Sequence, residues 1–164
     1  MKAVAFERPA HCGASVHIQE IVKKKNLILY FFPPLEFDKI EAVGQEAYLF
    51  KNYMVRLNLK KIEVLGVTDH PEDLTKTFVQ RFGIPFHFIY DRDHEIAKSY
   101  GAYKEATQTL ERRLVCIRKG GTIRKVYQGK EIEQNLKRMV SFTRLPWYRK
   151  LFRFWLLGTQ YLIF

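Results

Sequence analysis

Residues 62–103 read IEVLGVTDHPEDLTKTFVQRFGIPFHFIYDRDHEIAKSYGAY, and the order of apolar runs and breakers in this stretch decides the fold. Ile62–Val67 predicts a strand. His70-Pro71 interrupts it, with Pro71 suited to a first helical position and His70 to a helix cap. Leu74, Phe78, Val79 and Phe82 then supply the inner face of a helix that ends at Gly83. Phe86–Tyr90 predicts the next strand, with His87 as a buried strand histidine, and Glu95–Tyr100 a short helix stopped by Gly101. Strands alternate with helices, the rhythm of an α/β sheet.

The same rhythm extends in both directions. Upstream, Asn26–Phe32 (NLILYFF) is continuously apolar, as expected of a strand buried on both faces, and Pro33-Pro34 ends it. Asp38 has the position of an N-cap, with Glu41 completing a capping box. Behind it Ile40, Val43, Ala47, Phe50, Met54 and Leu57 form one helical stripe. At the start of the chain, Lys2–Phe6 predicts a strand and Gly13–Lys25 an amphipathic helix carrying Val16, Ile18, Ile21 and Val22. Downstream, Leu114–Ile117 and Ile123–Tyr127 flank the turn Lys119-Gly120-Gly121, a hairpin, and Lys130–Val140 predicts a closing helix. The expected architecture is α/β, a central mixed sheet flanked by helices over residues 1–140, followed by a tail over residues 141–164.

Composition agrees with one folded domain. The chain has 164 residues, 47% of them hydrophobic and 27% charged, which excludes disordered, collagenous and low-complexity classes. No secretory leader and no run of eighteen apolar residues is apparent, so a cytoplasmic location is expected. The net charge of +11 is unevenly distributed. Six of the 28 cations and none of the 17 acidic residues lie beyond Glu133, which leaves +5 on residues 1–133. That distribution speaks against nucleic-acid binding by the folded domain and points to a separate partner for the tail.

With the run at 62–103 followed by RRLVCIRKGGTIRKVY at 112–127, the chain resembles the peroxiredoxins of the AhpC/TSA family, in particular the bacterioferritin-comigratory (peroxiredoxin Q) type. The likeness rests on the Pro-Glu turn after a strand, Phe-Gly-Ile-Pro-Phe leading into the next, Asp-x-Asp before a short helix ending Tyr-Gly, and the Arg-bearing strand with its Gly hairpin. It implies a thioredoxin-like fold with an N-terminal extension. It also implies peroxide reduction through a cysteine thiolate, recovery by a thiol reductant such as thioredoxin, no cofactor, and a homo-oligomer.

The family pattern places a Thr four residues and the peroxidatic Cys seven residues after a Pro. Counted from Pro33 these positions hold Phe37 and Ile40, and from Pro34 they hold Asp38 and Glu41. Alignment on the later Cys-Thr-Lys-Glu-Ala-Cys run puts Val43 and Tyr48 at the two cysteine positions. No register supplies sulfur, so the resemblance implies a degenerate peroxidatic site at Pro33, Ile40 and Val43. Arg112, at the head of LVCIR, matches the family arginine that polarises the peroxide, and Arg113 is the alternative. Without a thiolate, Arg112 is expected either to hold an anion or to be a surface cation beside Glu111.

Two cysteines remain. Cys116 lies among Leu114, Val115 and Ile117 and reads as a small buried hydrophobe. Cys12 follows His11 and precedes the first predicted helix, so it is either a displaced nucleophile, with His11 as base and His17 further off, or a turn cysteine without function. A Cys12–Cys116 disulfide is left open by the sequence. The five histidines show no metal-ligand spacing, and no metal site is expected.

The tail, SFTRLPWYRKLFRFWLLGTQYLIF, has eight aromatics in twenty-four residues. A helix starting at Pro146 sets Trp147, Leu151, Phe154 and Trp155 on one face and Arg149, Lys150 and Arg153 on the other. Such a face packs on its own domain or a second copy, or lies peripherally on an anionic membrane.

Overall fold

A computed structural model describes residues 1–33, 40–128 and 134–136. The chain opens with a two-stranded antiparallel hairpin, β1 (Glu7–Pro9) and β2 (Ser15–His17), and passes directly into α1 (Ile18–Lys24). The expected strand at Lys2–Phe6 is absent; a single bridge from Lys2 to Thr122 stands there instead. The helix expected from Gly13 starts only at Ile18. Gly13 takes φ +85° in the hairpin turn, and Ser15-Val16-His17 buries only its middle residue, a period of two that suits a strand.

The core sheet follows: β3 (Asn26–Phe31), α2 (Ile40–Leu59), β4 (Ile62–Thr68), α3 (Glu72–Phe82), β5 (His87–Tyr90), α4 (Glu95–Ser99), the small hairpin β6 (Tyr103–Lys104) and β7 (Thr109–Leu110), then β8 (Arg113–Ile117) and β9 (Ile123–Gln128). The five-stranded order is β5-β4-β3-β8-β9, with β4 parallel to β3, β5 parallel to β4, and β8 and β9 each antiparallel to the neighbour before it. The central strand β3 is buried along Leu27–Phe31, as its uninterrupted apolar run requires. The mixed thioredoxin-like architecture is therefore present.

Side-chain alternation divides the core into two layers. Leu29, Phe31, Leu65, Val67 and Ile89 face α1, α4 and the N-terminal hairpin. Tyr30, Phe32, Phe86, Phe88 and Leu114 face α2 and α3, where they meet Val43, Ala47, Phe50, Leu57 and Phe78. This second layer is an aromatic stack, with Phe32 at 4.3 Å from Tyr30 and 4.6 Å from Phe88, ring centre to ring centre. Gly66, opposite both Tyr30 and Phe88, makes room for it: a Cβ there would lie 2.7 Å from the Phe88 ring. Four members of the expected stripe, Val43, Ala47, Phe50 and Leu57, are buried, and Met54 is partly so.

α3 ends at Gly83 in the left-handed region. Its cap is Pro71, and His70 does not cap it: the His70 amide donates to Thr68 Oγ1 instead. The short α4 is fastened by Asp91, fully buried, whose two carboxylate oxygens accept the amides of Ile96 at 3.0 Å and Ala97 at 2.7 Å. Of the expected closing helix, Gln134–Leu136 is helical and Leu136 is buried in the aromatic layer. The rest of that helix, the Asp38 cap and the whole of 141–164 lie outside the described residues.

Candidate functional site

The N-terminal hairpin reaches the edge of the sheet at β5. Ala10 bridges Ile89, the His11 amide donates to the Phe88 carbonyl at 2.9 Å, and the Phe88 amide donates to His11 Nδ1 at 3.1 Å. Arg8 adds ion pairs to Asp93 at 2.8 Å and Glu95 at 3.0 Å. The turn so pinned carries Cys12 outward. Its Sγ is exposed and stands 3.4 Å from His87 Nδ1, across seventy-five residues of sequence.

The partner of Cys12 is thus His87 and not the adjacent His11. His11 is committed to the β5 backbone, and its pKa is held below the ordinary range, chiefly by burial and further by His87 and Lys76. His87, expected to be buried, is exposed because β5 is an edge strand: Phe86 and Phe88 take the aromatic layer, leaving His87 on the other face beside the hairpin. Nor does Cys12 sit at a helix N-terminus, since β2 separates it from α1. A thiol and an imidazole in contact can exchange a proton, and an exposed pair can do so with a reactant.

A cavity of about 410 Å³ begins at Gly13, the residue after Cys12, and is lined further by Arg8, Tyr90 and Arg92. The Tyr90 hydroxyl is shielded from solvent, and burial raises its pKa above the ordinary tyrosine range.

The family-type position lies elsewhere. Ile40 is the first described residue of α2, Val43 is buried in the aromatic layer, and Pro33 is half-buried after Phe32. No cysteine occurs anywhere from Asn26 to Arg113. Arg112 directly precedes β8 and is half-buried, with its Nε sealed from solvent. Its neighbour Arg113 turns to the opposite layer, where Nη1 donates to the Tyr100 carbonyl at 3.0 Å and occupies the space a Cβ of Gly101 would need.

Cys12 and Arg112 are not brought together. Cys12 lies outside β5, and β8 is three strands away at about 4.8 Å each, a separation of about 14 Å or more. The same separation keeps Cys12 from Cys116, well beyond the reach of a disulfide, and both are free. Cys116 is half-buried, and desolvation pushes its thiol up to about 12, with Lys125 and Arg124 opposing the shift. Among the histidines, His94 Nε2 meets Asp69 Oδ2 at 3.2 Å and His70 lies 4.0 Å from Asp69 Oδ1. Among the described residues no group of three metal-ligating side chains forms, and no helix is long and apolar enough to cross a membrane.

Comparison with known proteins bears on this arrangement. The chain is 24% identical over 146 residues to a bcp-type peroxiredoxin of Coxiella burnetii, covering 85% of this chain and 94% of that one. It is 24% identical to the chloroplastic peroxiredoxin Q of Sedum lineare over 73% of this chain and 66% of the relative. The crystal structure of peroxidoxin BcpB from Mycobacterium tuberculosis superposes with a TM-score of 0.75 at 13% identity, over 86% of this chain and 92% of that one, a likeness of fold. The AhpC/TSA family model matches residues 1–126, which take in the hairpin that presents Cys12 and the strand that follows Arg112, and the chain belongs to the AhpC/TSA family.

Proposed function

We propose that this protein is a thiol-dependent oxidoreductase of the peroxiredoxin type whose reacting sulfur is Cys12 rather than a residue at the start of α2. The observation that carries the reading is the exposed Cys12 Sγ at 3.4 Å from His87 Nδ1. Reduction of a hydroperoxide by sulfur needs a thiolate and a proton for the departing oxygen. His87 can serve both needs in turn. The Cys12 proton passes to His87; the sulfur attacks the terminal peroxide oxygen, an S–O bond forms and the O–O bond breaks. Cys12 becomes a sulfenic acid, the hydroperoxide is reduced to an alcohol or water, and the leaving oxygen takes the proton from His87. An external dithiol, with thioredoxin as the model, restores the site. Its first thiol condenses with the sulfenic acid and releases water, and its second displaces Cys12 as a thiol. Cys116 is unsuited to that role by distance and by its raised pKa.

The test is peroxide consumption coupled to a dithiol, for the unmodified protein and for Cys12→Ser and His87→Gln. The reading requires turnover that is abolished by the first substitution and reduced by the second. Turnover that survives Cys12→Ser, or no turnover at all, rejects it.

A second reading has its own support: a peroxiredoxin fold retained for binding or assembly, without peroxide turnover. It is favoured by the lack of sulfur at Ile40 and Val43 and by the distance of Cys12 from Arg112. In that case Ile40→Cys, which restores a thiol at the position counted from Pro33, is expected to confer peroxide consumption absent from the parent. The tail is proposed to supply the partner contact in either reading, through a second copy or peripherally on a membrane. Flotation with anionic vesicles, with and without Arg149→Gln, Lys150→Gln and Arg153→Gln, separates the two.

A further inference from the structure

At the opposite end of the sheet from Phe32, where β3 and β4 begin and β8 ends, lies a cavity of about 460 Å³. Its volume falls in the range of small-molecule sites, about 300–1,000 Å³. The inner wall is apolar, formed by Ile28, Ile62 and Tyr127. Its rim is cationic: Arg118, Lys119, Arg124 and Lys125 all line it. The rim turn is tied down, because the Lys119 amide donates to Asn26 Oδ1 at 2.9 Å and the Gly120 amide to the Val22 carbonyl at 2.8 Å.

The four cations are gathered around one cavity, and their charge is not balanced locally. Arg8, Lys23, Lys25, Lys76 and Arg113 each have a carboxylate within ion-pair range. Among the described residues none of the four rim cations has one. Arg124 and Lys125 both act electrostatically on the thiol of Cys116, which lines the same cavity. Four like charges around an apolar wall repel one another until a counter-charge joins them. A bare inorganic anion would leave the wall unfilled, and a neutral apolar molecule would leave the rim unneutralised.

We infer that this cavity binds an amphipathic anion, with an acyl or aryl body against Ile28, Ile62 and Tyr127 and carboxylate or phosphate oxygens held by the rim. A free acyl anion and a membrane lipid headgroup share that chemistry. The site shares no lining residue with the Cys12–His87 pair, and its occupancy does not depend on any thiol reaction.

The experiment uses the full chain with Cys12→Ser, so that Cys116 is the sole thiol, and titrates sodium decanoate by calorimetry. Decanol, inorganic phosphate and phosphatidylglycerol vesicles are the comparison arms. Decanoate is expected to bind saturably, more tightly than decanol or phosphate, and to slow the reaction of Cys116 with N-ethylmaleimide. Adding Arg124→Gln and Lys125→Gln is expected to weaken decanoate about tenfold or more while the thermal transition is unchanged. Vesicles that compete with decanoate identify lipid as the source, and vesicles that do not compete identify the free anion. Absence of saturable binding, equal binding by the charge-neutralised variant, or an unprotected Cys116 overturns the inference.

Discussion

His11 grips Phe88 twice, its Nδ1 accepting the Phe88 amide at 3.1 Å while its own amide donates to the Phe88 carbonyl at 2.9 Å. The contact requires an unprotonated Nδ1, and burial, His87 and Lys76 lower the His11 pKa from the ordinary 6.5. The folded protein therefore binds fewer protons than the unfolded chain between that lowered value and 6.5. The stabilisation is complete above 6.5 and is lost as pH falls through the folded-state value. On acidification from about pH 7 to about pH 5, amide exchange at Phe88 is expected to accelerate and stability to fall. His11→Gln should flatten that dependence; parallel pH profiles for the two proteins would contradict the assignment.

The two thiols should differ sharply. Cys12 is exposed, whereas burial pushes Cys116 up to about 12. In native protein one thiol is expected to react rapidly with a disulfide reagent and the second much more slowly, with unfolding removing the difference. Cys12→Ser should remove the fast phase alone. Loss of the slow phase instead would reverse the assignment.

Gly66 bears directly on stability. A Cβ at this position meets the Phe88 ring at 2.7 Å in the middle of the sheet. Gly66→Ala is expected to destabilise the fold by about 1–3 kcal/mol, read as a lower urea midpoint. Phe88→Leu in the same chain should recover part of that loss, because it withdraws the clashing ring edge.

Asp91 receives the amides of Ile96 and Ala97 while fully buried. Burial raises its pKa despite those two hydrogen bonds, with Asp93 adding to the rise. Asp91→Ala leaves both amides unmatched and is expected to cost about 1–3 kcal/mol and fray α4. Asp91→Asn, which keeps one acceptor, should cost less. Equal urea midpoints for wild type and Asp91→Ala would show that the cap carries no weight.

The succession of core strands along the chain was readable because β3 and β4 are long and predominantly apolar. Gly83 and the Gly120-Gly121 turn marked element ends because each needs a positive φ, between 56° and 92°. The N-terminal hairpin was not readable, since three-residue strands show too little period to compete with a helical pattern that Ile18, Ile21 and Val22 began. β6 and β7, two residues each, escaped for the same reason. At the site, adjacency in sequence favoured His11 as the partner of Cys12, but tertiary structure spent that imidazole on a backbone amide. The one signal for His87 was its place between Phe86 and Phe88, which assigns it to the other face of the strand without revealing that the strand is an edge.

The hairpin that seals β5 gives the sheet a polarity. Beyond β9 the described residues place only the start of the chain, where Lys2 bridges Thr122 and the Ile123 amide donates to the Met1 carbonyl at 3.0 Å, and further along the strand Val126 is exposed. Among the described residues, the stretch of β9 after Ile123 therefore has no strand or bridge on its outer side. The clasp that presents Cys12 also occupies backbone groups that would otherwise leave the β5 flank an open edge.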